Sequence, residues 1–182
     1  MKLQLRDYPR IAIFVGLIAA LGLLPAVNIL PGVPVTAQTL GVMLAGAVLG
    51  SYRGTLAVFI FEVLVLAGLP LLAGGRGGYA VFVGPTAGYL IGWLIGAWVI
   101  GAVIVALPKA PLAVSSALAF VLGGIVAIYI PGILWFAYVN QAPVLAVATG
   151  NLPFLVGDGV KVVISVIVLL ALKAAYPRAL TK

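Results

Sequence analysis

No cysteine and no histidine occur anywhere in the chain, and only 3 of its residues are acidic. The first absence removes disulfides and thiol nucleophiles, and the second removes imidazole bases. Together they also take away the usual zinc and haem ligands. Charge of either sign is scarce: 10 Lys and Arg against 3 Asp and Glu make up 7% of the sequence and leave a net +7. With 65% hydrophobic residues and a mean hydropathy of +1.34, a soluble core of 182 residues would not hide the apolar surface. The chain reads as an integral membrane protein, at about 20 apolar residues per crossing. Its basic residues sit at the ends of apolar stretches and do not cluster with aromatics, so nucleic acid is not an expected partner.

Hydropathy with Gly and Pro punctuation divides the sequence into six candidate helices, roughly 11–30, 35–49, 55–72, 85–106, 112–139 and 153–175, within one membrane domain spanning 1–182. Lys2, Arg6 and Arg10 ahead of the first apolar run resemble a signal peptide. The run leads into further hydrophobic spans instead of a small-x-small site and a polar region, so it is expected to stay. Pro131-Gly132 is expected to kink or end the fifth helix. Lys2, Arg6, Arg10, Arg53, Lys109, Lys173, Arg178 and Lys182 fall on one side of this topology and Arg76 on the other. The basic excess marks the cytoplasmic side, which places both termini there and the loops 31–34, 73–84 and 140–152 outside. The fold expected is therefore an all-α, six-helix transmembrane bundle, multi-pass in a bacterial plasma membrane.

Within the sixth helix Gly157-Asp158-Gly159-Val160-Lys161 sets an acid and a base three residues apart, hence on one helix face. Each costs about 2.5–3.5 kcal/mol to insert into hydrocarbon, so an ionisable pair here is a functional site by default. The plain alternative is a self-neutralising pair that only holds the bundle together. Entering from outside at Pro153, the helix places Asp158 and Lys161 in the outer half of the membrane. The outer loop Ala73-Gly74-Gly75-Arg76-Gly77-Gly78 is either a mobile linker or a lid carrying Arg76 over a pocket, where a guanidinium grips a carboxylate. No Gly-Lys-Ser/Thr follows, so it is not a nucleotide loop. Tyr89 and Trp93, four apart, share a face, and Trp135 lies in a further aromatic cluster. These form an interfacial belt or the wall of a ring-binding site. Ala12, Gly16 and Ala20 make a small-residue ladder suited to close helix contact, inside the bundle or with a partner. Glu62, mid-helix, is protonated, paired with Lys161, or turned to a partner.

Taken in order, Pro31-Gly32-Val33-Pro34-Val35-Thr36-Ala37-Gln38-Thr39-Leu40-Gly41, Gly50-Ser51-Tyr52-Arg53-Gly54, Gly68-Leu69-Pro70 with the Gly74–Gly78 loop, Gly84-Pro85-Thr86-Ala87-Gly88-Tyr89, and Pro153 through Lys161 resemble the BioY family across nearly the whole chain. These are the biotin-specific substrate-binding (S) components of energy-coupling factor (ECF) vitamin transporters. The resemblance implies a six-helix bundle with a biotin pocket open to the outside and capped by the first and third outer loops. Asp158 and Lys161 match the family's Gly-Asp-x-x-Lys as polar contacts to biotin. Gln38, Gly75 and Gly77, in the matching motifs, are taken as further binding positions, with Tyr89, Trp93 and Trp135 flanking the rings. The family admits Asn at the centre of the glycine loop. Arg76 stands there in this chain, facing either the valerate carboxylate or solvent. Ala12, Gly16 and Ala20 resemble the ladder that docks a transmembrane coupling protein, whose two ATPase subunits consume the ATP. No catalytic residue, metal or cofactor of its own is implied, and a homo-oligomer stays open. The rival reading is an autonomous secondary carrier using Glu62 and Asp158 as titrating groups. An intramembrane aspartyl protease would need a second membrane Asp beside Asp158.

Overall fold

The computed structural model describes residues 3–25, 27–30 and 33–176. The helices among them are α1 (Asp7–Gly22), α2 (Gln38–Leu66), α3 (Ala80–Val83), α4 (Ala87–Ala106), α5 (Leu112–Val139), α6 (Val144–Gly150) and α7 (Phe154–Ala175). Two short strands, β1 (Val27–Leu30) and β2 (Val33–Val35), pair antiparallel between α1 and α2. The helices α2, α4, α5 and α7 are each long and apolar enough to cross a membrane.

The expected second and third helices are continuous in α2 except at Gly50, whose φ of 79° and ψ of 175° break the helix. Glycine reaches that conformation without a Cβ penalty. A Cβ on Gly54 would lie 2.7 Å from the carbonyl oxygen of Ala45. Nine residues of straight helix would separate them by about 13.5 Å, so α2 folds back on itself at Gly50. Its two limbs, 38–49 and 51–66, lie against the same stretch of α4. Gly46 abuts Ala97 on one limb, and Thr55 donates to the Leu94 carbonyl at 3.4 Å from the other.

Several boundaries differ from expectation for local reasons. The first helix begins at Asp7 and ends at Gly22, not at Leu30, because Pro25 disfavours helical geometry in the residue before it. The third ends at Leu66, ahead of Gly68 at φ 104° and Pro70. Pro131 does not end the fifth helix. The irregularity falls instead one turn earlier as a wide π-turn over Leu122–Val126, and Ala127–Val139 stays helical through the proline. A proline removes one backbone bond and crowds the carbonyl four residues back, and an extra residue in the preceding turn is one way to relieve that crowding. The short α3 and α6 lie in segments expected to be plain loops. Ala26, Pro31 and Gly32, and the basic residues Lys2, Arg178 and Lys182 used for orientation, lie outside the described residues.

Lipid tails are as apolar as leucine, so close packing, not water exclusion, joins helices in a bilayer. The seam that does this runs along α4. Cβ atoms on Gly88, Gly92 and Gly96 would sit 2.3, 2.7 and 2.5 Å from the Pro131, Ile128 and Gly123 carbonyl oxygens of α5. This four-residue repeat brings the two backbones together, and sequence reading noticed only the ladder on α1. Ile18, Val42, Val58, Phe61, Trp93 and Ile128 fill the core on the pocket side, and Met43, Ile100, Phe120 and Leu169 fill the other end. A Gly92→Val change therefore wedges α4 from α5 against backbone that has no rotamer to give. We expect about 1–3 kcal/mol of destabilisation, read as a lower thermal midpoint in detergent.

Candidate functional site

Asp158 and Lys161 lie one turn apart near the start of α7, and the side chains meet at 2.8 Å. Asp158 is 6% exposed. Its other oxygen accepts a hydrogen bond from the Tyr129 hydroxyl on α5, and Lys161 Nζ also donates to Thr39 Oγ1 at 3.0 Å on the first limb of α2. The pair is thus held by three elements. Glu62 takes no part: it is buried on the second limb of α2, with Oε1 unpartnered and no bond to Lys161. That removes the pairing option left open above.

Around this pair the bundle leaves an open cavity whose empty space, its mouth included, is about 740 Å³. Its apolar walls are Leu72, Leu90, Trp93, Ile128 and Phe154, with Gly124 of the π-turn also lining it. The polar lining adds Thr36, Thr86, Tyr89 and Asn151, and Arg76 stands at the exposed edge. Tyr89 donates to Asn151 Oδ1 at 2.8 Å, while Asn151 Nδ2 donates to the Val147 carbonyl at 2.7 Å. Tyr89 and Tyr129 rings meet edge to face, 6.4 Å between centroids at 84°. The guanidinium of Arg76 spends Nε on the Ala73 carbonyl at 3.3 Å.

Of the residues chosen from sequence, the cavity gathers Asp158, Lys161, Arg76, Gln38, Tyr89 and Trp93. Trp135, Gly75 and Gly77 do not line it. Trp135 Nε1 donates to the Gly84 carbonyl at 2.9 Å, which ties α5 to the start of α4. Gly77 packs its α-carbon where a Cβ would meet Leu69 O at 2.3 Å. Thr39, Tyr129 and Asn151 were missed. Thr39 sat inside a motif read as a whole, and Tyr129, six residues before Trp135 in an apolar run, carried no signal of its own. Ala12, Gly16 and Ala20 are all exposed along α1, and nothing lies within 4 Å of a Cβ on Gly16.

The fold and cavity define a class, a helical membrane protein with a charge-paired pocket, open at one mouth, for a small organic solute. The sequence matches the BioY family over residues 1–178. The biotin transporter BioY of Rhodobacter capsulatus is 48% identical, covering 96% of this chain and 97% of that protein. Its counterpart in Rhizobium etli is 43% identical over 94% and 95%. A crystal structure of the S-component for biotin from an ECF-type ABC transporter superposes with a TM-score of 0.87 at 32% identity, covering 93% of this chain and 91% of that one. The chain belongs to the BioY family.

Proposed function

We propose that the protein binds biotin from outside the cell as the S component of an ECF-type transporter, in a multi-pass fold of the bacterial plasma membrane. One observation carries this, the unused hydrogen-bonding capacity of the central pair. A carboxylate offers about four acceptor sites and an ammonium three donors. Tyr129 and Lys161 take two sites on Asp158, while Asp158 and Thr39 take two protons of Lys161. Two acceptors and one donor remain. A cyclic urea presents the complement, two N–H donors and one carbonyl. Trp93, Leu90 and Ile128 give its fused ring an apolar bed, and Arg76 at the mouth suits the terminal carboxylate.

Counting each limb of α2 and also α1 gives six crossings with both termini in the cytoplasm. The ion pair between Arg53 and Asp7 supports this by setting the start of α1 beside the Gly50 turn, at the basic end. The exposed Ala12, Gly16 and Ala20 suit docking of a transmembrane coupling protein. Its ATPases would supply the energy, leaving this chain with no cofactor and no catalytic role of its own. Biotin uptake in cells is expected to stop on ATP depletion and to survive collapse of the proton gradient. The reverse pattern would establish an autonomous carrier.

Tyr129→Phe removes one donor from Asp158 and leaves the ring in place. A hydrogen bond to a charged group contributes about 1.5–3 kcal/mol, so biotin affinity is expected to fall by about 10- to 100-fold, measured by equilibrium binding in detergent.

A further inference from the structure

Gln38 lines the cavity, yet its amide is already committed. Nε2 donates to the Ile18 carbonyl at 3.2 Å and to the Leu71 carbonyl at 3.1 Å, and Oε1 accepts from the Ala73 amide at 3.1 Å. The reverse amide orientation would set an oxygen against two carbonyl oxygens, so the network fixes it. Both donors are spent, and the side chain is 1% exposed. The three partners belong to two separate parts of the chain. Ile18 lies in the last turns of α1, while Leu71 and Ala73 flank the turn that carries Leu72 and Arg76 over the cavity.

That turn is internally closed. Leu72 N donates to the Arg76 carbonyl at 3.0 Å, and Arg76 N and Gly75 N both donate to the Leu72 carbonyl, at 3.2 and 2.9 Å. Gly74 and Gly75, at φ 77° and 70°, supply the left-handed geometry it needs. A closed turn moves as a unit, and its attachments decide where it rests. Besides Gln38 it is tied back by Gly78 N to the Val65 carbonyl at 2.7 Å. Gly22, at the end of α1, presses on the same point. A Cβ there would lie 2.3 Å from Leu71 O and 2.8 Å from Gln38 Nε2.

We propose that Gln38 is a clasp: it fastens the 71–76 turn over the pocket to the end of α1, and so sets how long a ligand stays bound without touching it. The inference rests on the biotin reading for its kinetic probe. Differences among closely related binders fall mostly in the dissociation rate, and three net hydrogen bonds are at stake.

The test is the dissociation rate of radiolabelled biotin from the full chain in detergent, chased with unlabelled biotin. Gln38→Ala is expected to speed release by about 10- to 100-fold with association little changed. Gly22→Ala keeps Gln38 but pushes Leu71 away, and is expected to speed release as well. Ile13→Ala, on the exposed side of α1, leaves it unchanged. Because the chain has no cysteine, Arg76→Cys on the turn with Leu145→Cys on α6 gives a clean spin-label pair on two exposed sites. The empty wild type is expected to show a narrow distance distribution, broadened by Gln38→Ala. Unchanged release and an unchanged distribution in a folded Gln38→Ala would overturn the clasp. So would a loss carried by association alone, or faster release with an unchanged distance distribution, which would make Gln38 a ligand contact and not a fastening. If wild type binds no biotin, the biotin reading fails while the distance measurement still decides the clasp in the empty protein.

Discussion

Lys161→Ala lowers biotin affinity by about 30- to several-thousand-fold, the consequence of stripping one partner from a buried, hydrogen-bonded charge pair. Asp158 would keep only Tyr129 as a donor, and Thr39 would lose the ammonium it accepts from. The donor that complements a urea carbonyl goes with it. Asp158→Asn is expected to cost as much for a different reason. The side chain keeps its shape, but its NH₂ turns donors toward Lys161 or Tyr129, and one of the two free acceptor sites disappears. Equilibrium binding on both variants checks this, with thermal melting as the control for folding. Affinity within a few-fold of wild type in either variant would reduce the pair to a structural tie.

The second large effect is at the opposite end of the bundle and concerns stability. Asp7 is 0% exposed, and the Arg53 guanidinium lies 3.0 Å from its Oδ2, with Gln4 N donating to the same oxygen at 2.9 Å. Arg53→Ala leaves a buried carboxylate with a single backbone donor. Breaking such a pair from one side costs about 3 kcal/mol or more, which we expect as a clear fall in the thermal midpoint. Combining Asp7→Asn with Arg53→Leu is expected to recover most of it, since replacing both partners avoids the uncompensated charge. Biotin affinity of the folded fraction should not change, because neither residue lines the cavity. A double variant no more stable than Arg53→Ala would show that the pair's charges are not what holds this end.

What the sequence disclosed and what it withheld have separate physical causes. Long apolar runs between turn residues carry the spans plainly, so α4, α5 and α7 are found within a few residues of their expected bounds. The Asp158 and Lys161 pair is legible for the same reason, since a charge in an apolar run stands out. Their partners do not stand out. Tyr129 and Thr39 are ordinary membrane-helix residues by composition, and only the bundle reveals that they are 29 and 122 residues away in sequence from the groups they touch. Gln38 shows the converse: its place in a motif marks it as a binding residue, while only the bundle reveals that its amide bonds to three backbone groups. The turn at Gly50 falls in the break expected between 49 and 55, whereas the π-turn before Pro131 depends on what one backbone presses against another, which no periodicity encodes.

If the Asp158 and Lys161 cavity is the biotin site, the wild-type chain binds biotin on its own. Calorimetric titration of biotin into the purified wild-type chain in detergent tests it most directly. One saturable site per chain, with heat on binding, is expected. A cooperatively melting, folded protein that gives no binding heat and retains no radiolabelled biotin would contradict it.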